Sequence, residues 1–299
     1  MIELDVDRAL VDLPLFRRGK ARDIYDLGDT LLIVASDRIS AFDVVLPTLI
    51  PTKGALLTEL SAFWFDRLRN LVPNHLIGAD RTAFPNQLEE ISPETAARSM
   101  VVRKAARIDV ECVVRGYLAG SAWRDYAATG MITGQRQPAG LRSGDRLPEP
   151  VFTPAIKHDQ GHDVTISPDK LADLIGADGA DRLAAVSCDL YEAASRHAIE
   201  RGIILADTKF EFGYIDGELA LIDEALTPDS SRFWLEREYR PGADQPSLDK
   251  QFVRDWLDGS GWNKEPPAPA LPVHVVESTV ARYQEARDRL MGPPDDRAA

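Results

Sequence analysis

The sequence predicts an α+β fold with two lobes. Strand-like segments open the chain, whereas apolar residues spaced three or four positions apart, as in amphipathic helices, become frequent later. A regular alternation of strands and helices would instead indicate a doubly wound sheet. With 299 residues, of which 44% are hydrophobic, the chain is long enough to bury the cores of two lobes.

The first predicted elements are a β-hairpin and a helix. Strands over residues 22–27 and 30–36 flank Gly28-Asp29, and the glycine suits a tight turn. A helix over residues 58–71 follows, because its apolar residues recur at helical spacing. A strand over residues 110–114 then leads to a helix that Ser121 caps and that ends at Gly130.

The second half of the chain contains the longer helical patterns. The remaining elements that we predict are, in order, a helix that starts at Ser167-Pro168, a helix over 181–201 that Gly202 ends, a strand over 203–207, a hairpin over 210–224 and a final amphipathic helix over 278–290.

Composition limits the partners and the compartment. The formal net charge of −13 argues against a nucleic-acid partner, because coating a polyanion requires excess basic residues. No basic leader precedes an apolar stretch, and no apolar run is long enough to cross a membrane, so we expect no membrane partner. Cys112 and Cys188 cannot form a disulfide-rich framework and fit a reducing cytosol. We therefore expect a cytoplasmic protein.

The most informative segment runs from Asp207 to Gly213 and continues into a second strand that ends near Asp223. Side chains alternate on a strand, so the residues at 207, 209 and 211 share one face and the aromatic residues at 210, 212 and 214 share the other. The first face is charged: it consists of Asp207, Lys209 and Glu211.

The turn of this hairpin decides where Asp223 points. A two-residue turn at Asp216-Gly217 pairs residue 211 with 222 and sends Asp223 to the other face, whereas a three-residue loop pairs 211 with 223. We predict the three-residue loop, which brings two carboxylates together around a cation. Such hard oxygen ligands suit Mg²⁺ shared with a nucleotide. A solvated face of an ordinary hairpin is about equally compatible with the alternation alone.

Two basic segments are candidates for binding phosphate. Residues 17–22 contain Gly19, which permits close backbone approach, and Lys20 and Arg22, which lie on one strand face; an ordinary basic turn explains the same residues. Residues 115–121 combine Arg115, two glycines and Ser121 at a helix start, which suits a phosphate monoester; a plain strand-to-helix connection is the alternative.

Two polar loops are weaker candidates. Residues 36–43 could contact a ligand or could cap turns. Residues 157–163 contain two histidines and two aspartates, but without a helical pattern this spacing favours contact with substrate over a transition-metal site.

The chain resembles the SAICAR synthetase family. The residues that carry the resemblance are the two signature stretches at 110–121 and 205–213, together with blocks in family order at 19–25, 36–43, 152–154, 223–232 and 249–251. They span residues from about 15 to about 257. One departure is Asp109, which stands where the first signature commonly has proline.

The resemblance implies a kinase-like two-lobe SAICAR synthetase fold, with an antiparallel sheet in the N-terminal lobe, a mixed α+β C-terminal lobe and ATP in the cleft. It implies an ATP-dependent carbon–nitrogen ligase of purine biosynthesis that joins L-aspartate to carboxyaminoimidazole ribonucleotide and releases ADP and phosphate. An acyl phosphate is the expected intermediate, because a carboxylate does not readily lose hydroxide. A monomer or a homodimer is expected.

The resemblance also implies roles for individual residues. They are, for catalysis, Lys209 and Asp207; for ATP, Gly19, Lys20, Ala21 and Arg22; for Mg²⁺, Glu211 and Asp223; and for the other substrates, Arg115, Ser121, Arg232, Asp37, Arg38, Ser40, His162 and Asp163.

We expect residues 1–108 to form the ATP-binding lobe and residues 109–299 to form the lobe that binds substrate and metal and carries the C-terminal helices.

Two other classes of function remain open at this point. A kinase could use the same strand-rich lobe and paired metal ligands, although the chain lacks a His-Arg-Asp loop and a GxGxxG motif. The second class is a regulatory module that binds a nucleotide without turning it over.

Overall fold

A computed structural model describes residues 7–157 and 164–295, and its backbone has the α+β organisation expected from the sequence. The strands are β1 (Leu15–Arg18), β2 (Arg22–Asp26), β3 (Thr30–Ala35), β4 (Arg38–Ala41), β5 (Val44–Leu49), β6 (Leu76–Gly78), β7 (Ser99–Arg103), β8 (Ala106–Tyr117), β9 (Met131–Ile132), β10 (Gln135–Arg136), β11 (Arg146–Ile156), β12 (Val164–Thr165), β13 (Ile203–Ile215), β14 (Glu218–Ile222) and β15 (Ser231–Leu235). The helices are α1 (Arg8–Val11), α2 (Lys53–Leu68), α3 (Pro93–Ala97), α4 (Gly120–Thr129), α5 (Pro168–Ile175), α6 (Ala177–Ile199), α7 (Gln251–Gly259) and α8 (Val273–Met291). No helix in these ranges is long and apolar enough to cross a membrane.

The first sheet is antiparallel and has the strand order β1-β2-β3-β7-β6. The β2–β3 hairpin forms where the sequence predicts it. Its turn uses Gly28 at φ +93°, a left-handed conformation that glycine adopts without steric cost. Helix α2 packs against this sheet with Leu60, Trp64 and Phe65 in the core.

The second sheet has the order β12-β11-β8-β13-β14, and β15 pairs with the first half of β13 on the same edge as β14, opposite β8. β8 and β13 are its long central strands, with 12 and 13 residues. The side chains of Phe210 and Phe212 on β13 are fully buried, and helix α6 covers that face of the sheet. The other face of β13 is therefore the one that remains available for a site.

The C-terminal helices pack back onto the early part of the chain. Helix α8 contacts α2, and Val253 of α7 and Val275 of α8 share a core with Ile39 of β4 and with Ile50, which directly follows β5. The end of the chain thereby closes one side of the molecule.

Several predicted boundaries shift in the structure. Helix α2 begins at Lys53, five residues before the predicted start at 58, because the Asp37 carboxylate accepts hydrogen bonds from the amides of Thr52 and Gly54 and so supports an earlier first turn. Ser167 caps α5 through the amide of Lys170, as predicted. The proline-rich approach to α8 ends at Pro272, so this helix also starts five residues before its predicted start at 278.

Candidate functional site

A cleft of about 1020 Å³ lies between the two sheets. The turn between β1 and β2 forms one wall, and the charged face of β13 and the loop after β14 form the other. Among the predicted site residues, the following line it: Gly19, Lys20, Ala21, Arg22, Ser40, Arg115, Asp207, Lys209, Glu211, Asp223 and Arg232.

The charged face of β13 faces this cleft, as the alternation predicts. Lys209 Nζ donates to Glu211 Oε1 at 3.2 Å and to Glu111 Oε1 on the paired strand β8 at 2.7 Å. Lys157, just beyond the end of β11, places its Nζ 2.5 Å from Glu211 Oε2. Lys209 therefore lies between Glu111 and Glu211, and Lys157 lies on the other side of Glu211. Each carboxylate oxygen of Glu211 has a cationic partner.

The predicted turn of the hairpin is wrong. The turn is the two-residue one at Asp216-Gly217, so Glu211 pairs with Ile222 and Asp223 lies beyond the end of β14. Asp223 nevertheless reaches the cleft, because its backbone takes the left-handed conformation, φ +68°, and this redirects the side chain. Both carboxylates line the cleft, but Asp223 reaches it by a different route from the predicted one.

The electrostatics of the two carboxylates differ. Burial alone would raise the pKa of Glu211, but Lys209 and Lys157 hold it low, at about 2. Burial raises the pKa of Asp223 to about 6; Arg22 opposes this rise, whereas the carboxylates of Glu211 and Glu224 add to it. Asp223 thus carries a negative charge that its surroundings disfavour, and an added cation would stabilise it.

The donor set fits a divalent cation that the protein shares with a phosphorylated ligand. Carboxylate oxygens are the donors that Mg²⁺ prefers, and it usually keeps water and substrate oxygens in its remaining positions. Within residues 7–157 and 164–295, no group of three or more His, Cys, Asp or Glu side chains is arranged to hold a metal. Glu211 and Asp223 are two carboxylates of the cleft that could hold such a cation.

Arg22 connects the two walls of the cleft. From β2 it donates to Asp223 Oδ2 at 2.6 Å and lies 2.9 Å from Glu224 Oε1. Lys20 pairs with Asp43. Gly19 keeps the turn tight: its amide donates to the Arg22 carbonyl at 2.7 Å, and a Cβ at this position would approach that oxygen to 3.1 Å.

A second cationic corner surrounds Asp207. Its Oδ2 accepts from Arg115 Nη1 at 2.9 Å and from Arg232 Nη1 at 2.5 Å, so one carboxylate holds two guanidinium groups. Arg115 also donates to Thr153 on β11 and, through Nη2, to Ser121 Oγ at 3.2 Å. The corner has a net positive charge, which suits an anionic group.

The predicted capping role of Ser121 is wrong. Helix α4 begins at Gly120, with Ala119 as its N-cap and no side-chain cap hydrogen bond. The Ser121 hydroxyl is bonded to Arg115 instead, and Arg232 packs against Gly120 at the same helix start. The two arginines, the serine hydroxyl and the helix N-terminus therefore converge.

The remaining predicted substrate contacts have different surroundings. Asp37 supports the start of α2 and does not line the cleft. Arg38 pairs with Asp23 at 2.7 Å and donates to the carbonyls of Gly19 and Lys20, so it braces the β1–β2 turn from behind. His162 and Asp163 lie outside the described residues. Asp109 lies within β8, paired with Arg107, and is not part of the cleft lining.

Sequence reasoning gave no individual role to several charged residues of the cleft, among them Glu111, Lys157, Glu224, Asp229, Lys250 and Arg254. Glu111 could have been found, because it lies in the strand that precedes Arg115 and on the same face by alternation. Lys157, Glu224, Asp229 and Lys250 stand in loops or at element ends, where spacing does not predict direction, and Arg254 lies within α7.

The chain was compared with known protein families and structures. Residues 15–269 match the family model described as SAICAR synthetase. A phosphoribosylaminoimidazole-succinocarboxamide synthase from Pelobacter propionicus is 51% identical over 281 residues, which cover 94% of this chain and 95% of that protein.

Solved structures are also similar. A SAICAR synthase from Saccharomyces cerevisiae, complexed with SAICAR, is 43% identical with a TM-score of 0.85 and covers 98% of this chain and 99% of its own. A SAICAR synthetase in complex with ADP is 25% identical with a TM-score of 0.69 and covers 94% of this chain and 99% of its own.

Proposed function

This chain belongs to the SAICAR synthetase family, and from that premise we propose how its cleft performs the reaction. The chain is a ligase of purine biosynthesis that uses ATP to condense L-aspartate with carboxyaminoimidazole ribonucleotide, giving SAICAR, ADP and phosphate. The observation that carries the assignment of roles is the convergence on one cleft of two separate cationic corners, at Arg22 and at Asp207, with a pair of carboxylates between them.

The corner at Gly19, Lys20, Ala21 and Arg22 is the proposed site of the ATP phosphates. A tight turn with backbone amides and two basic side chains suits a polyphosphate. Apolar side chains of the first sheet continue the same wall, among them Ile24, Leu31 and Val102, and they suit the nucleotide base.

The corner at Arg115, Ser121 and Arg232 is the proposed site of the ribonucleotide phosphate. Arginine suits a phosphate because its planar guanidinium donates two parallel hydrogen bonds, and the start of α4 adds a favourable dipole. Asp207, at the edge of this corner, and Lys209, two positions further along β13 toward the other corner, lie where the substrate carboxylate would react. Ser40 lines the same cleft, and Arg38 contributes indirectly by bracing the turn.

The proposed chemistry has two steps. An oxygen of the substrate carboxylate attacks the γ-phosphorus of ATP, the bond to the β-phosphate oxygen breaks, and an acyl phosphate and ADP form. The amine of L-aspartate attacks the acyl carbon, phosphate leaves with the bonding pair, and the amine loses a proton. Lys209 stabilises negative charge near the reacting group, and its raised pKa, due to Glu211 and Glu111 despite burial, keeps it protonated.

ATP-dependent ligases of this family use the nucleotide with a divalent metal, and we propose Mg²⁺ with Glu211 and Asp223 as its protein ligands. When bound, Mg²⁺ would neutralise phosphate charge during transfer. The support is the proximity of the two carboxylates in a cleft that also contains the phosphate-binding turn.

We also propose the division into an ATP-binding lobe, residues 1–108, and a second lobe, residues 109–299. The two sheets separate between Arg103 and Ala106, which supports a boundary near there.

A cytoplasmic location is consistent with the free thiols of Cys112 and Cys188, and the charge of −13 disfavours nucleic acid as a partner.

The test is ADP release from purified protein with Mg-ATP, to which carboxyaminoimidazole ribonucleotide and L-aspartate are added separately and then together. Release that requires both, with an equal amount of SAICAR, is the expected result. Release without L-aspartate would indicate a kinase or an ATPase, and nucleotide binding without release would indicate a regulatory module.

A further inference from the structure

A buried charge network outside the two cationic corners joins four parts of the chain. Asp229, in the loop after β14, lies with its Oδ2 2.8 Å from Lys53 Nζ and 3.0 Å from Lys250 Nζ. Its Oδ1 accepts from the hydroxyl of Tyr283 on α8 at 2.9 Å. Lys53 begins α2, and Lys250 directly precedes α7.

The members of this network differ in access to the cleft. Lys53 and Tyr283 are 0% exposed and cannot contact a ligand, whereas Lys250, 9% exposed, lines the cleft together with Asp229. Each oxygen of the Asp229 carboxylate has a neighbour of complementary charge or polarity: the two ammonium groups lie beside Oδ2, and the hydroxyl donates to Oδ1.

Lys250 keeps donors to spare. An ammonium group has three N–H donors, and within residues 7–157 and 164–295 its ion pair is with Asp229. The charge of Glu224 also acts on the Lys250 ammonium, but the oxygens of Glu224 are engaged by Arg22 and Thr227. An anion in the cleft could accept from the N–H donors that do not face Asp229.

We propose that Lys250 binds an oxyanion of a substrate in the cleft, and that Lys53 and Tyr283 are positioning residues that act on it through Asp229. Lys53 and Tyr283 both contact Asp229 and so fix the orientation of its carboxylate. In this orientation the carboxylate holds the Lys250 ammonium toward the cleft. The inference rests on the proposed function, since all three substrates carry a carboxylate or a phosphate that could be the oxyanion.

The test is the KM for ATP, for carboxyaminoimidazole ribonucleotide and for L-aspartate, each measured in Lys250→Met with the other two substrates saturating. We expect one of the three to rise about 10-fold or more, because a charge-assisted hydrogen bond is lost, and the substrate that responds identifies the oxyanion. Lys170→Met, an exposed lysine on α5, is the matched control and should leave all three unchanged.

The positioning role is tested separately with Tyr283→Phe, which keeps the ring and removes the hydroxyl. The same KM should rise roughly 2- to 10-fold, and Lys250→Met with Tyr283→Phe should be no worse than Lys250→Met alone. Equal changes in all three KM values, or none in Lys250→Met, would overturn the anion site. A Tyr283→Phe variant with a lowered melting temperature and wild-type KM values would overturn the positioning role.

Wild-type product formation separates this inference from the assignment of function. If the wild-type enzyme makes SAICAR and Lys250→Met behaves like it, only the role of Lys250 fails.

Discussion

Glu211 is the residue whose surroundings are most specialised. Both of its carboxylate oxygens contact lysines, yet it also lies close enough to Asp223 to raise the pKa of that group. Such a side chain balances the charge of the lysines beside it, and we propose that it also holds the cation. A substitution that tests the role of Glu211 should therefore remove its negative charge and keep its shape.

For Glu211→Gln we expect activity to fall about 100-fold or more, because the variant loses charge that stabilises the cation and orders two lysines. ADP release measured against metal concentration tests this. Glu218→Gln, an exposed glutamate on β14 of the same hairpin, is the matched control. Wild-type turnover in Glu211→Gln would exclude the ligand role.

Arg115 is expected to act on one substrate only. In Arg115→Ala we expect the KM for the ribonucleotide to rise roughly 10- to 100-fold with little change in the KM for ATP, because a charged hydrogen-bond donor is lost at the phosphate corner. Arg136→Ala, an exposed arginine on β10, controls for loss of a positive charge. An effect confined to ATP would reassign this corner to the nucleotide.

At the scale of elements, helix α4 shows how a helix start shapes a site. Gly120 has φ +57°, and a Cβ there would approach Arg232 Nη2 to 2.5 Å. The absence of a side chain lets the guanidinium pack against the first turn. Gly130, at the other end of the same helix, also has positive φ, +71°, but a Cβ there would meet no atom within 4 Å.

These two glycines make a matched pair. Both Gly120→Ala and Gly130→Ala should lose about 1 kcal/mol of stability from left-handed strain. Only Gly120→Ala should also raise the KM for the ribonucleotide, by roughly 10- to 100-fold, because it displaces Arg232. Thermal melts and steady-state kinetics on both variants measure the two effects, and equal KM values would mean that the position of Arg232 does not matter for binding.

At the scale of the whole molecule, two buried histidines couple folding to pH. Burial lowers the pKa of His75 to about 3 and that of His197 to about 4, so both are neutral in the folded protein. His197 packs between α2 and α8, where its Nε2 contacts the Leu290 carbonyl at 2.7 Å and its ring contacts Trp64. Its protonation would disrupt a junction between distant parts of the chain.

Stability should therefore fall as the pH drops from about 6.5 toward 4, because the unfolded chain binds protons that the folded histidines do not. Each histidine contributes about 1.4 kcal/mol per pH unit in that range. Asp223 acts in the opposite direction, since its raised pKa lets the folded state bind a proton below about pH 6. Burial also raises the pKa of Asp249, which acts in the same direction as Asp223.

Denaturant unfolding at several pH values measures this slope. His197→Gln should reduce it by the contribution of one histidine, whereas the exposed His274→Gln should leave it as in the wild type. A slope in His197→Gln equal to that of the wild type would contradict the coupling.

The sequence by itself determined the α+β class, the family and the charged face of β13. These follow from local rules, because strand alternation places Asp207, Lys209 and Glu211 together whatever the surroundings. The family signatures likewise identified Arg115 and Arg232, which converge on Asp207 in the structure.

The tertiary structure alone decided how the remaining side chains reach the cleft. Asp223 reaches the cleft because its own backbone is left-handed, beyond a hairpin with a two-residue turn. Lys157 follows β11 and Lys250 precedes α7, where the alternation of side chains along a strand no longer applies. The network at Asp229 unites side chains up to 230 positions apart, from Lys53 to Tyr283. Spacing along a chain sets direction only within one regular element; between elements, packing sets it.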